Sequence, residues 1–275
     1  MASAAPVAPA ADRRLKVLLF GTSGNPPTGR GGHGGIVHYF CESGLYDEIW
    51  IMPVYRHMFS HKRTSMSQPG AATFDQRLEM CKLAFEQESC DTCCVKALPT
   101  EREVFDMLAA ADPDPHAVER IRVCTYDVLK YLRKQHPDAE FSFVLGMDAY
   151  VDLLKGKWAH SKELLDETEF VVVDRRGVMP HHDAVPHGTH IHHVGDLTAV
   201  SSSAVRASDD LAFLQDPTAL HHAVYSYMQA HGLYAFGRRR AARRQRAAAA
   251  AAAAVALGVV GAWAYRRWGA RPASR

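Results

Sequence analysis

Phe20-Gly21-Thr22-Ser23-Gly24-Asn25-Pro26-Pro27-Thr28-Gly29-Arg30-Gly31-Gly32-His33-Gly34-Gly35-Ile36 is the stretch that decides the fold. An apolar run, Leu15 to Phe20, leads into it, and an amphipathic run, Ile36-Val37-His38-Tyr39-Phe40, leads out. Strand, glycine-rich turn and helix is the order in which α/β proteins offer backbone N–H groups and a helix N-terminus to phosphate. His33, at the helix entrance, adds a side-chain donor. The turn is not a Walker A loop. Pro26 and Pro27 remove two N–H donors, and Arg30-Gly31 stands where that loop needs Lys followed by Ser or Thr. No G-x-G-x-x-G follows the strand in dinucleotide-binding form either.

Outward from this turn, strands and helices alternate. The pattern predicts strands at Lys16–Phe20, Glu48–Val54, Thr92–Leu98, Glu140–Leu145, Glu169–Val173 and His190–Val194. Helical patterns fill Ile36–Glu42, Phe74–Gln87, Ala117–Gln135, Ala149–Leu154 and Leu220–His231. In Phe74–Gln87 the apolar positions Phe74, Leu78, Cys81, Leu83 and Phe85 fit a helix better than a two-residue repeat. Continuous apolar strands alternating with helices predict an α/β, Rossmann-like, doubly wound parallel sheet with helices on both faces. Ligands of such sheets sit beyond the carboxyl ends of the strands, where Gly21–His33 lies.

The 275 residues are 47% hydrophobic and 23% charged, enough apolar content for a large core. The formal charge of +2 hides an asymmetry. Residues 237–275 hold ten arginines and no acids, so residues 1–236 carry 22 basic against 30 acidic groups. An acidic body argues against a general nucleic-acid surface. Six cysteines without a secretory signal read as reduced thiols of a cytosolic compartment. Cys90-x-x-Cys93 lacks further zinc ligands nearby and reads as core cysteines in a strand. The histidine-rich run from His181 to His193 reads as a solvated loop feeding an exposed strand rather than a zinc site.

The expected organisation is a disordered leader, 1–14, a domain over 15–236, and an Arg-rich segment, 237–275. That last segment contains an uncharged run, Ala247 to Tyr265, between Arg246 and Arg266. Nineteen helical residues span ~28 Å, close to the hydrocarbon thickness of a bilayer. Trp263, Tyr265 and Trp268 lie at one end, as in interfacial belts. A C-terminal hydrophobic helix acting as a membrane tail anchor is therefore expected, leaving the domain on the cytoplasmic face of an intracellular membrane. A soluble Ala-rich helix and a nuclear-import signal are the alternatives.

Several motifs together resemble one family. Gly21…Asn25-Pro26-Pro27-Thr28…His33 is similar to the phosphate-binding signature of nucleotidyltransferases, in particular nicotinamide/nicotinate mononucleotide adenylyltransferases. Met52-Pro53, His61-Lys62, Arg77-Leu78-Glu79-Met80, Thr125-Tyr126-Asp127-Val128-Leu129 and Phe143-Val144-Leu145-Gly146-Met147-Asp148 resemble later family segments in the family's order. So do Trp158, Val172-Val173-Asp174-Arg175-Arg176-Gly177, Val200-Ser201-Ser202-Ser203-Ala204-Val205-Arg206 and Gly232-Leu233-Tyr234. The resemblance covers residues 15–236. Two departures stand out: Thr28 to His33 is two residues longer than the family spacing, and Gly24 replaces its phenylalanine.

The resemblance implies transfer of AMP from ATP to a pyridine mononucleotide, giving NAD or its deamido form plus pyrophosphate. It places His33 and Arg206 in catalytic roles on the triphosphate. Gly21, Thr22, Ser23, Thr28, Lys62, Gly146, Asp148, Ser202 and Ser203 are then the expected ATP contacts. Thr100, Glu101, Thr125, Trp158, Arg175 and Arg176 are the expected mononucleotide contacts. Mg2+ would arrive with the ATP phosphates, without a protein ligand set. Another acceptor, such as phosphopantetheine, and a non-catalytic nucleotide sensor at a membrane are the competing readings.

Overall fold

In the computed structural model, residues 13–56, 70–114, 116–174 and 185–268 are described, the last seventeen as backbone alone. Six strands form the sheet: β1 (Leu15–Thr22), β2 (Glu48–Pro53), β3 (Cys94–Ala97), β4 (Ala139–Gly146), β5 (Glu169–Asp174) and β6 (Thr189–His193). Their order is β3-β2-β1-β4-β5-β6, and every neighbouring pair is parallel. The helices are α1 (His33–Glu42), α2 (Phe74–Phe85), α3 (Thr100–Ala111), α4 (Ala117–Arg120), α5 (Thr125–Gln135) and α6 (Met147–Leu154). They continue with α7 (Ser161–Glu167), α8 (Ser202–Ala207), α9 (Leu211–Gln215), α10 (His222–His231) and α11 (Ala235–Trp268).

Residues alternate across each strand, so one apolar strand feeds two cores. Leu18 and Phe20 of β1, with Ile49, Ile51, Val171 and Val173, pack against Phe40 of α1, Met80 of α2 and Met228 of α10. Val17 and Leu19, with Trp50, Phe143 and Val172, pack on the other face against Val104 of α3, Leu129 of α5 and Tyr150 of α6. A buried side chain of this size contributes roughly 1.5–3 kcal/mol. This is the doubly wound arrangement that the alternation predicts. It puts a switch point between β1 and β4, the neighbours at which strand order reverses.

All six expected strands form, within two residues at each end. Strand β3 starts at Cys94 rather than Thr92. Cys90 and Cys93 instead close a tight turn through an isolated antiparallel bridge. The expectation of two core cysteines is therefore half right: Cys93 is buried and Cys90 is exposed. The expected helix Ala117–Gln135 is two helices. Cys124 takes an extended conformation, and its N–H donates to Asp127 Oδ2 at 3.0 Å, so α5 is capped and starts afresh. Helices α3, α7 and α9 were not expected from the pattern.

The expected membrane anchor finds no support among the described residues. No helix among the described residues is long and apolar enough to cross a membrane. The reason lies in composition. Helix α11 opens with six arginines, Arg238 to Arg246, and continues through eight alanines, Ala247 to Ala254, which carry little hydrophobic drive. Its start is packed: Ala235 and Phe236 are buried in the first core.

Candidate active site

The carboxyl ends of β1, β2 and β4 open into a cleft of about 750 Å³, a size suited to a small ligand. Its floor is Phe20–Ser23, Met52, Val54 and Phe143–Gly146. Helix α1 closes one side with His33 and Ile36, and Val123-Cys124-Thr125, ahead of and opening α5, closes another. The break between α4 and α5 therefore has a use: it brings an extended segment to the cleft. Lys157, Trp158 and Ala159 complete the wall.

His33 is the first residue of α1, a helix with no acid in its own first turn to offset its positive N-terminal end. Three contacts with Thr28 fix the ring. The Thr28 N–H donates to His33 Nδ1 at 3.1 Å, Thr28 Oγ1 lies 2.8 Å from the same nitrogen, and the His33 N–H donates to Thr28 Oγ1 at 2.8 Å. A backbone N–H can only donate, so Nδ1 is the acceptor and the ring proton sits on Nε2. Nε2 lies 3.5 Å from Thr22 Oγ1 at the end of β1. Thr28 itself is 2% exposed, so it lies behind the histidine rather than in the cleft.

The two additional residues between Thr28 and His33 turn away from the cleft. Gly29, Arg30 and Gly31 donate their N–H groups to the carbonyls of Ala219, Pro217 and Thr218 at 2.9, 3.0 and 2.8 Å. Arg30 also pairs with Glu88 at 2.9 Å. A Cβ at Gly29 would sit 2.1 Å from the Pro217 carbonyl oxygen, so close backbone approach requires glycine there. The insertion is taken up against the α9–α10 connection, and His33 keeps its place at the helix start.

Asn25 joins elements far apart in sequence. Its carbonyl accepts from Arg206 Nη1 at 2.5 Å, and its Oδ1 accepts from the Tyr234 hydroxyl at 2.5 Å. Ser202 Oγ donates to the Pro26 carbonyl at 2.8 Å, and Arg206 Nη2 donates to Ser203 Oγ at 2.9 Å. Helix α8 is thus docked on the glycine-rich turn through the groups expected to meet phosphate. Burial beside Asn25 pushes the Tyr234 phenol well above its usual range. On the opposite flank, Arg77 of α2 is 1% exposed and donates to the Ser23 carbonyl at 2.6 Å and the Tyr55 carbonyl at 3.4 Å. It ties the end of β1 to the chain leaving β2.

Glu101, in the first turn of α3, faces the cleft and accepts from the Tyr55 N–H at 2.9 Å. Loss of water around it raises its carboxyl to about 7. The Tyr55 N–H and the charge of Arg77 pull the other way without cancelling the rise. This carboxyl therefore changes charge near neutrality.

Of the residues expected from sequence, Gly21, Thr22, Ser23, His33, Glu101, Thr125, Gly146 and Trp158 line this one cleft. Arg206, Ser202 and Ser203 are not among the lining residues; Arg206 and Ser202 contact the glycine-rich turn at the Asn25 and Pro26 carbonyls, and Ser203 bonds Arg206. Thr100, the first residue of α3, is buried, and Asp148 is exposed on the first turn of α6; neither is among the lining residues. Lys62, Arg175 and Arg176 lie outside the described residues, as do His181 and His182. Among the described residues no group of three or more histidine, cysteine or acidic side chains is arranged to hold a metal. The sequence reading did not single out Arg56, Asp152 and Lys157, which also line the cleft. Arg56 carries a signal that finds it: it is the first cation beyond the carboxyl end of β2, the end at which parallel sheets bind ligands.

Known proteins agree with this architecture. Residues 19–208 match the cytidylyltransferase-like family. A probable nicotinate-nucleotide adenylyltransferase of Anaeromyxobacter dehalogenans (strain 2CP-C) is 30% identical over 223 residues, covering 80% of this chain and 96% of its own length. Its counterpart in Bacillus cereus (strain AH187) is 28% identical over 222 residues, covering 80% and 98%. The solved Plasmodium falciparum nicotinic acid mononucleotide adenylyltransferase complexed with NaAD superimposes with a TM-score of 0.59 at 18% identity. That match covers 81% of this chain and 98% of the solved one. Parallel sheet, switch-point cleft and a family match over most of the domain lead to one assignment: the chain belongs to the cytidylyltransferase-like nucleotidyltransferases, in the group of nicotinate/nicotinamide mononucleotide adenylyltransferases.

Proposed function

We propose that the protein transfers the AMP moiety of MgATP to nicotinate mononucleotide, forming deamido-NAD and pyrophosphate. The observation that carries this reading is the His33 ring, held by Thr28 with its Nε2 proton at the mouth of the β1–β4 switch point. The names of the relatives, nicotinate-nucleotide adenylyltransferases at 28–30% identity, favour the nicotinate acceptor.

In this mechanism the 5′-phosphate oxygen of the mononucleotide attacks the α-phosphorus in line. The new P–O bond forms as the bond to the β-phosphate oxygen breaks, and both electrons leave with pyrophosphate. The attacking oxygen is already anionic, so catalysis is positioning and charge neutralisation rather than proton abstraction. The Nε2–H of His33 and the N-terminus of α1 stabilise charge growing on the α-phosphate and the bridging oxygen. Arg206 turns its guanidinium toward the leaving pyrophosphate, with Ser202 and Ser203 beside it. Trp158 gives the pyridine ring a flat wall, with Thr125 and Glu101 on the acceptor side. Magnesium enters as part of the nucleotide substrate.

The test is pyrophosphate release from MgATP with nicotinate mononucleotide, nicotinamide mononucleotide or phosphopantetheine as acceptor. Turnover with the nicotinate form at least about tenfold above the amide in kcat/KM is expected, a difference of 1.4 kcal/mol. Turnover with phosphopantetheine alone, or ATP binding with no pyrophosphate from any acceptor, overturns the reading.

A further inference from the structure

At the end of α1 remote from the cleft, three cysteines meet. Cys41, the penultimate residue of α1, is fully buried, and its Sγ donates to the Glu88 carbonyl at 2.9 Å. The same sulfur lies 3.4 Å from Cys90 Sγ and 3.7 Å from the Cys93 carbonyl oxygen. Cys90 and Cys93 are held face to face by backbone hydrogen bonds of 3.0 and 3.4 Å. The three differ sharply in access: Cys90 is exposed, whereas Cys93 is 1% and Cys41 0% exposed.

Their chemistry differs as well. The Thr92 hydroxyl, 3.4 Å from Cys90 Sγ, and the Thr92 N–H hold the Cys90 thiol below its ordinary range. Burial pushes Cys93 up to about 11 and Cys41 further still. One accessible sulfur therefore touches one shielded thiol. An oxidant reaches the first, and the second is in position to capture the product. The arrangement is not a metal site, since no such group of ligands occurs among the described residues.

We propose that Cys90 is a peroxide-oxidised residue that Cys41 resolves as an intramolecular Cys41–Cys90 disulfide. In the first step the Cys90 thiolate attacks one oxygen of a hydroperoxide. The O–O bond breaks, sulfur becomes a sulfenic acid, and the peroxide is reduced to hydroxide or alkoxide. In the second step Cys41 sulfur displaces the hydroxyl from Cys90, the S–S bond forms, and the Cys41 proton leaves with that hydroxyl as water. The disulfide ties the end of α1 to the turn ahead of β3. It also removes the S–H that now donates to Glu88, the residue whose carboxylate pairs with Arg30 at 2.9 Å and His38 at 3.2 Å. Oxidation thus acts at the root of the ion pair that seats the Gly29–Gly31 insertion beside His33.

The full chain treated with hydrogen peroxide, alkylated and digested without reduction reads this out. Loss of two hydrogen atoms, a Cys41–Cys90 cross-linked peptide and reversal by dithiothreitol are expected. Cys90 should lose its free thiol about tenfold faster than Cys94, the other exposed cysteine. Cys93→Ser should keep the cross-link, Cys90→Ser should abolish it, and Cys41→Ser should let Cys90 run on to sulfinic acid. Cys90→Ser, at an exposed position, keeps the test readable if Cys41→Ser does not fold. A Cys90–Cys93 or intermolecular disulfide, or a wild-type Cys90 that oxidises no faster than Cys94, overturns the proposal.

Discussion

Thr28→Val is the substitution that examines the histidine's setting most directly. It keeps the shape of a buried side chain and removes only the hydroxyl. Two contacts go with it: the one at 2.8 Å to His33 Nδ1 and the one accepted at 2.8 Å from the His33 N–H. The Thr28 N–H still reaches Nδ1 at 3.1 Å, so the tautomer survives while the ring loses its second restraint. Each buried neutral hydrogen bond is worth ~1 kcal/mol, with the orphaned helix N–H costing somewhat more, so urea unfolding should show a loss of about 1–3 kcal/mol. Removing the donor outright, in His33→Ala, should lower kcat by roughly 10²–10³, the usual cost of one donor to developing charge. A displaced but present donor should lose about 10- to 100-fold. Because Thr28 acts on the reaction only through His33, the double variant should be no slower than His33→Ala by more than about threefold. The assay is steady-state pyrophosphate release for the four members of the cycle, at saturating acceptor. Multiplicative losses in the double variant would refute the relay and make Thr28 an independent contributor.

Glu101 gives a pH prediction with a definite sign. Its folded carboxyl is raised to about 7 from an ordinary 4.5, so between these pH values the folded state holds more protons than the unfolded one. Stability therefore falls as pH rises through that window, by on the order of 3 kcal/mol. A Tm measured from pH 4.5 to 8 should decline in the wild type and flatten in Glu101→Gln; parallel curves would contradict the burial of that carboxyl. Gly29→Ala drives a Cβ to 2.1 Å from the Pro217 oxygen and should cost about 1–3 kcal/mol in urea unfolding, a loss that an unchanged midpoint would rule out. Tyr234→Phe leaves Asn25 Oδ1 buried without its 2.5 Å donor. It should lower stability by about 1–3 kcal/mol and raise KM for ATP, because Asn25 also holds Arg206. A stability loss with unaltered ATP kinetics would separate the two roles.

Sheet and helices were legible because their signals are local. Val17 to Phe20, Ile49 to Met52 and Phe170 to Val173 are apolar at every position, which only a sheet covered on both faces can use. Helix α3 was hidden because Thr100 to Ala111 follows β3 with only Pro99 to mark its start, and its buried residues are few: Thr100, Val104 and Phe105. The start of β3 was read two residues early because a Cys-x-x-Cys turn and a β-strand look alike in composition until the bridge between Cys90 and Cys93 is seen. The C-terminal helix was legible as a helix because its alanine-rich run favours that conformation, while the membrane role expected of its uncharged run finds no support among the described residues.

The site divides along the same line. His33, Trp158 and Gly146 were legible because a motif names them one at a time, and each lines the cleft. Asn25 was not, since its role exists only between parts: 181 residues separate it from Arg206 and 209 from Tyr234. A motif that lists asparagine at that position gives no partner for its carbonyl or its amide oxygen. The geometry does, and it changes what the closing Leu233-Tyr234 segment means. The tyrosine is not a distant family marker but the second anchor of the residue that aims Arg206. The start of α11 extends that support, with Arg238 Nη1 donating to the Arg206 carbonyl at 2.9 Å. Arg206 is thus braced from front and back by residues on either side of the whole sheet in sequence. The single most informative feature of the chain, its glycine-rich turn, works only because its far end folds back onto it.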